Sequence, residues 1–334
     1  MSARLAILAS LVLALALGAC GEKAEREVGE AERFDLALDF YVNPDHAGIY
    51  TALDRGLFEE AGLDVRPQVP SDPAAPIKQV AAGRVDLAIS YEPEVLLARD
   101  QGLEVVAVGA LVQEPLTSLI APGDAGIGSM ADLKGKTIAT AGIPYQDAFL
   151  DAILAREELR REDVSVVDVG LNLLPAVLSG RADAMLGGFR NIEGVDLERR
   201  GENPLVKPVD ELGIPTYDEL VLVASEERVE EDPEAIRLFL AVLERGTQSA
   251  ARDPELATDA VLAAGEGLDP KLTAAEIEAT LPLLQPEGKR PYGHMDSTEW
   301  ERFIGFMADE GEIGVRFDPG EVLTNEYLPR GIPE

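Results

Sequence analysis

Two histidines occur in the 334 residues, His46 and His294, and one cysteine, Cys20. Two histidines are too few for a histidine metal cluster. A single cysteine excludes a disulfide framework and a Cys-based metal site within one chain. The sequence holds no Gly-x-Ser-x-Gly, Walker loop, His-Glu-x-x-His or glycine-rich dinucleotide turn opening a helix. Paired carboxylates could serve glycoside hydrolysis, but nothing fixes their separation. What stands out is the setting of His46 in "LDFYVNPDHAGIY", residues 38–50. An apolar run ends at Tyr41, Asn43 to His46 form a polar turn, and the chain turns apolar again. With neither a nucleophile nor a metal partner in view, His46 is expected to recognise a ligand rather than react. Capping of the following helix is the alternative.

Other segments carry the same mixture of ring faces and polar groups. They are "SYEPE" (90–94), with Ser90, Tyr91 and Glu92; "EPLTS" (114–118), with Ser118; and "AGIPYQD" (141–147), with Tyr145. "GGFRNIEG" (187–194) brings Gly188, Phe189, Asn191 and Glu193, and "IPTYDE" (214–219) brings Tyr217 and Glu219. Aromatics make up only 5% of the chain, yet these segments and "FYVNPDH" (40–46) hold Phe40, Phe189 and four of the seven tyrosines, Tyr41, Tyr91, Tyr145 and Tyr217. That concentration points to a planar ligand that stacks; core or rim aromatics at strand ends are the alternative. A carboxylate facing such a cleft accepts hydrogen bonds from an exocyclic amine. Glu193 is singled out because it follows Gly187-Gly188, where the backbone can approach a ligand.

These segments must be positioned by something, and the flanking pattern shows what. "FDLALDFYV", "LDVRPQVP", "RVDLAIS" and "LEVVAVGAL" read as strands, separated by helices at "AGIYTALDRGLF", "SDPAAPIKQVAAG" and "PEVLLARDQG". The second of these helices is expected to start at a Ser71 or Asp72 cap and stop at Gly83. The grammar restarts after Pro122 with "KTIATAG", "VSVVDVG" and "RADAMLGG". "QVAAGRVDLAIS" (79–90) matches "AVLSGRADAMLG" (176–187), each a helix end, Gly-Arg-x-Asp and a buried strand. Such a repeat predicts two similar α/β lobes, each a mainly parallel sheet flanked by helices. In open α/β sheets ligands bind beyond the carboxyl ends of the strands, which is where the segments above fall. The predicted division is 34–120 plus 224–334 for lobe 1 and 121–223 for lobe 2, with crossings near 119–123 and 221–226. Asp232-Pro233 and Asp253-Pro254 predict helix starts in the helical C-terminal part.

Residues 1–19 read as a signal peptide: Arg4, an apolar run from Leu5 to Leu17, then Leu-Gly-Ala-Cys. The end resembles a bacterial lipobox, which implies lipidation of Cys20. Residues 20–33 are charged and read as a tether. With 62 acidic and 29 basic residues and a net charge of −33, nucleic acid and anionic membrane surfaces are disfavoured as partners.

Taken together, "Y-x-N-x-x-H-x-G-x-Y", "GLFEEAGLDV", "GRVDLAISYEPEVLLARDQG", "LKGKTI", "GRADAMLGGFRNIEGVDLE" and "YDELVLVASEE" resemble the bacterial receptors for thiamine pyrimidine precursors, over residues 34–330. These are substrate-binding proteins of ABC importers. The resemblance implies a two-lobed periplasmic-binding-protein type II fold with the ligand between lobes that close by hinge motion. It implies a monomer that is extracytoplasmic, lipid-anchored to the bacterial membrane or periplasmic, and served by a permease with its ATPase. The expected ligand is a formylaminopyrimidine or hydroxymethylpyrimidine; riboflavin, another heterocycle or a sulfonate is the alternative. It also implies ligand-facing roles for Phe40, where the family often has Trp, and for Asn43, His46, Ser90-Tyr91, the Gly188–Glu193 segment and Tyr217. The eukaryotic thiamine-pyrimidine synthases look similar, including "TNEYL" at Thr324–Leu328. Ser90 stands where they hold pyridoxal phosphate on a lysine, and Glu94 where they carry the histidine they consume. No cofactor and no catalytic residue are therefore expected.

Overall fold

The computed structural model describes residues 31–285 and 290–329. The expected signal peptide, Cys20 and nearly all of the tether lie outside the described residues. Among the described residues no helix is long and apolar enough to cross a membrane.

The strands are β1 (Glu32–Ala37), β2 (Leu63–Gln68), β3 (Leu87–Ser90), β4 (Val105–Val112), β5 (Thr117–Ala121), β6 (Thr137–Thr140), β7 (Ser165–Asp168), β8 (Ala184–Phe189), β9 (Leu205–Pro208) and β10 (Leu220–Ser225). They form two five-stranded sheets, β2-β1-β3-β10-β4 and β7-β6-β8-β5-β9. The helices that bear on the site are α1 (Ala47–Asp54), α2 (Pro76–Ala81), α3 (Glu92–Asp100), α4 (Tyr145–Arg156), α5 (Leu173–Leu178), α6 (Glu193–Arg200), α7 (Pro233–Arg252), α8 (Pro254–Ala264), α9 (Pro270–Thr280) and α10 (Ser297–Asp309). Two mixed sheets, each flanked by helices, make the two-lobed α/β architecture of type II periplasmic binding proteins.

Four of the five strands in each sheet share one direction. The exceptions are β10, antiparallel to β3 and β4, and β5, antiparallel to β8 and β9. Each exception is the first strand after a change of sheet. The chain leaves the first sheet after Val112 and enters the second at Thr117, then leaves it after Pro208 and returns at Leu220. Thr117–Ala121, expected to straddle the edge of lobe 1, thus lies wholly in the second sheet, and Leu220–Ser225 lies wholly in the first. Helix α2 starts at Pro76, later than expected. Asp72 instead closes a turn with its side chain on the Ala74 N–H at 2.9 Å, and the pre-set φ of Pro76 suits the first helical turn.

The internal repeat has one structural meaning in both lobes. Gly83 and Gly180 end their helices in the left-handed region, at φ +61° and +71°. The aspartates that follow clamp the neighbouring parallel strand, β1 in one lobe and β6 in the other. Asp86 accepts the Asp35 N–H at 2.7 Å and Asp183 the Thr137 N–H at 2.8 Å. Their own N–H groups return to the carbonyls of Asp35 and Thr137 at 2.9 and 2.8 Å. The expected C-terminal caps form too: Asp232 accepts from Ala235 N and Asp253 from Leu256 N. Helix α7 covers the first sheet, placing Phe239 between Phe34 and Phe58 with centroids 5.1 and 5.2 Å away.

Candidate ligand-binding site

A narrow cavity of about 20 Å³ lies between the lobes, beyond the carboxyl ends of the strands. The first lobe contributes Asp39, Phe40, Tyr41 and Asn43 after β1, and Tyr91 after β3. The second contributes Ala141 and Ile143 between β6 and α4, Tyr145 and Gln146 at the start of α4, Leu173 on α5, and Gly187, Phe189, Ile192 and Glu193 around the end of β8. Of the residues named from sequence, Phe40, Tyr41, Asn43, Tyr91, Tyr145, Phe189 and Glu193 come together here. Phe40 and Tyr41 lie 4.4 Å apart between centroids, tilted by 49°. Tyr41, 38% exposed, sits at the mouth. Both ends of the Asn43 amide bind backbone, Oδ1 accepting from Asp45 N at 2.8 Å and Nδ2 donating to Tyr41 O at 3.1 Å.

Asp39 is the main polar group on the first-lobe side, and sequence reasoning passed over it. The strand-like run expected to reach Val42 ends at Ala37, and Asp39 turns inward. His46 is fully buried behind it. The Asn43 N–H points at His46 Nδ1 at 3.4 Å, so that nitrogen accepts and Nε2 carries the proton. Nε2 donates to Asp39 Oδ1 at 2.8 Å, and the Tyr91 hydroxyl donates to Oδ2 at 3.1 Å. His46 therefore does not line the cavity. It holds the carboxyl that does, and it also caps the short turn Pro44–His46. The signal for Asp39 was a carboxyl between Leu38 and Phe40 at the end of a buried strand.

On the opposite wall Glu193 opens α6. Its Oε2 accepts the Phe189 N–H at 2.7 Å. Burial raises its carboxyl to about 7, and the Phe189 N–H works against that shift. Burial likewise keeps the Tyr91 and Tyr145 phenols protonated, and the Tyr91 hydrogen goes to Asp39. Gly187 lines the cavity, and both glycines leave room for neighbouring side chains. A Cβ on Gly187 would fall 2.2 Å from Gln146 Nε2, and one on Gly188 would meet Met185 Sδ at 3.0 Å. Their small size admits neighbouring side chains. Among the described residues no lysine or arginine lines the cavity. Arg190, the basic residue of that loop, is bound to Pro115 O at 3.2 Å and Glu114 at 3.1 Å.

The other named residues are buried at the connections between the sheets. Glu219 Oε2 accepts from Leu116 N and Thr117 N, both at 2.7 Å, and from the Tyr217 hydroxyl at 3.0 Å. Its Oε1 accepts the Thr117 hydroxyl at 2.8 Å. One carboxylate thereby ties the two crossing segments together. Glu92 accepts the Asp218 N–H and Asp218 accepts Trp300 Nε1–H, each at 2.7 Å. Tyr217 packs against Phe303 and Phe149, 4.9 and 5.6 Å away, not against the cavity. Ser118 bonds Leu116 O, and Ser90 is buried in β3 beside Val221. Asn191 spans the lobes: its Nδ2 donates to Asp45 Oδ1 and to Thr280 Oγ1 on α9, both at 2.7 Å.

Residues 43–257 match the family described as NMT1/THI5 like. A formylaminopyrimidine-binding protein of Halalkalibacterium halodurans is 34% identical over 307 residues, covering 90% of this chain and 92% of the relative. A 4-amino-5-hydroxymethyl-2-methylpyrimidine phosphate synthase of Legionella pneumophila is 26% identical, covering 89% and 92%. Among solved structures, the alkanesulfonate-binding protein SsuA from Xanthomonas axonopodis pv. citri superposes with a TM-score of 0.69 at 16% identity, covering 88% of this chain and 99% of that one. The last match speaks for the fold alone. With a family model matching more than half of the chain, and a relative 34% identical over nearly all of it, the chain belongs to the NMT1/THI5-like family.

Proposed function

We propose that this protein is the extracytoplasmic solute-binding lipoprotein of an ABC importer, carrying a formylaminopyrimidine- or hydroxymethylpyrimidine-type precursor of thiamine. The observation that carries the reading is the polar chemistry of the interlobe cavity. Carboxyls stand on both walls, Asp39 and Glu193, with aromatic rings between them and no cation. An aminopyrimidine presents a flat face to the rings and N–H donors to the carboxyls. A sulfonate needs cations or N–H donors, and the one nearby guanidinium is engaged elsewhere. The name of the Halalkalibacterium relative supports the same ligand class. Ser90 and Glu94, in place of the lysine and histidine of the synthases, support binding without catalysis.

In this account Phe40, Tyr41 and Phe189 supply ring faces, Glu193 accepts from the exocyclic amine, and Asp39 takes a second donor. The lobes rotate about the paired connections at 113–116 and 209–219 to admit the ligand, and the closed form docks on a permease. Calorimetric titration of the purified protein against aminopyrimidines, riboflavin, nitrate and taurine tests the ligand class. Heat is expected with a pyrimidine and not with nitrate or taurine. No heat with any pyrimidine would refute the assignment while leaving the fold untouched.

A further inference from the structure

Gln146 carries no expectation from its sequence position beyond membership of a loop, yet its side chain lines the cavity and is 2% exposed. Its orientation is fixed by chemistry. Oε1 accepts the Ala141 N–H at 2.8 Å, so the amide nitrogen must be the other end. That nitrogen occupies the space left by the missing side chain of Gly187, whose φ of +107° is itself one that other residues rarely adopt. The amide is therefore held in one pose from two sides. Nε2 carries two hydrogens, and the Tyr145 phenol oxygen lies within reach of one. The carboxyls of Asp39 and Glu193 accept, and the Tyr91 hydroxyl already donates to Asp39. A ligand facing these groups alone would have to be a donor on every edge, which a pyrimidine is not.

The geometry points to Gln146 as the specificity-determining residue that reads an sp² acceptor on the bound heterocycle, a ring nitrogen or a formyl oxygen, by donating from Nε2. The inference rests on the pyrimidine reading above and adds the matching donor. A site built to donate to a ligand discriminates strongly against a replacement that cannot.

The test is calorimetry on wild type, Gln146→Glu and Gly187→Ala, each with formylaminopyrimidine and with its deformylated amine, at about pH 8 and about pH 5. Gln146→Glu keeps an oxygen for the Ala141 N–H but presents an acceptor where the donor was. Its affinity should fall more than about tenfold at the higher pH and recover relative to wild type at the lower, where a protonated carboxyl donates again. Gly187→Ala, which displaces the amide, should show the loss without the recovery. Gln146→Met, with neither charge nor donor, should repeat the loss and replaces Gln146→Glu if that variant does not fold. A loss confined to the formylated ligand assigns the formyl oxygen as the acceptor, and a loss with both assigns a ring nitrogen. Gln146→Glu within about twofold of wild type for both ligands, or a loss that protonation leaves unchanged, overturns the inference. Wild type binding neither pyrimidine overturns the ligand reading beneath it.

Discussion

His46 lies wholly beneath Asp39, with Nε2 2.8 Å from Oδ1, so its effect on a ligand passes through that carboxyl. Removing it leaves a buried carboxyl short of one donor and breaks the cap of the turn at Pro44. His46→Ala should cost about 1–3 kcal/mol of stability, read by urea unfolding, and weaken ligand affinity by about tenfold. His46→Gln, which can still donate, should recover part of both. Unchanged affinity in the alanine variant would show that Asp39 does not bind the ligand. The histidine drew attention from sequence because it is one of two, and its loop does form a wall of the cavity. Its actual role was not legible there. Asp39 and His46 meet only because the intervening residues fold back through a short helical turn, and no periodicity encodes that reversal. Tyr217 and Glu219 misled for a related reason. Aromatic and acidic residues at strand ends look alike in sequence whether they face a cavity or lock two connections together.

At the scale of elements, the repeated Gly-Arg-x-Asp was the most informative stretch. The left-handed glycine and the backbone-clamping aspartate are local devices, so the sequence shows them directly, as do the Asp-Pro helix starts. Strand partnership is not local. "TSLIA" is a buried strand in any reading, but its neighbours β8 and β9 come from more than 60 residues away. That is why the change of sheet fell several residues from its expected place. The same region yields a prediction. Glu219 gathers four donors from both connections, and burial raises its carboxyl to about 7. Glu219→Ala would strand the Leu116 and Thr117 N–H groups and the Thr117 and Tyr217 hydroxyls in the interior. The expected loss is about 3 kcal/mol or more, measured as a lowered urea midpoint. A change below about 0.5 kcal/mol would show that the two connections are held by packing alone.

At the scale of the whole molecule, acids of the two lobes lie together. Glu193 and Asp196 on α6 face Glu276 on α9, with Asp45 nearby under Asn191. Burial, then the charges of Glu193 and Asp196, push the Glu276 carboxyl up to about 8. Burial also holds Asp45 well above the usual carboxylate range. Native-state values above the unfolded ones mean that the native protein binds more protons. The stability so gained is complete below the ordinary carboxylate range and is lost as pH rises through about 7 to 8. Melting temperature should therefore fall by a few degrees or more between about pH 5 and pH 9, and Glu276→Gln should flatten that slope. A pH-independent melt would show that these acids do not meet in solution. The central claim, that the interlobe cavity holds an aminopyrimidine between carboxyls, is tested most directly by a crystal structure of the protein grown with formylaminopyrimidine. The account predicts density for the ring beside Phe40, with its amino edge on Glu193; an empty cavity with the pyrimidine bound elsewhere would contradict it.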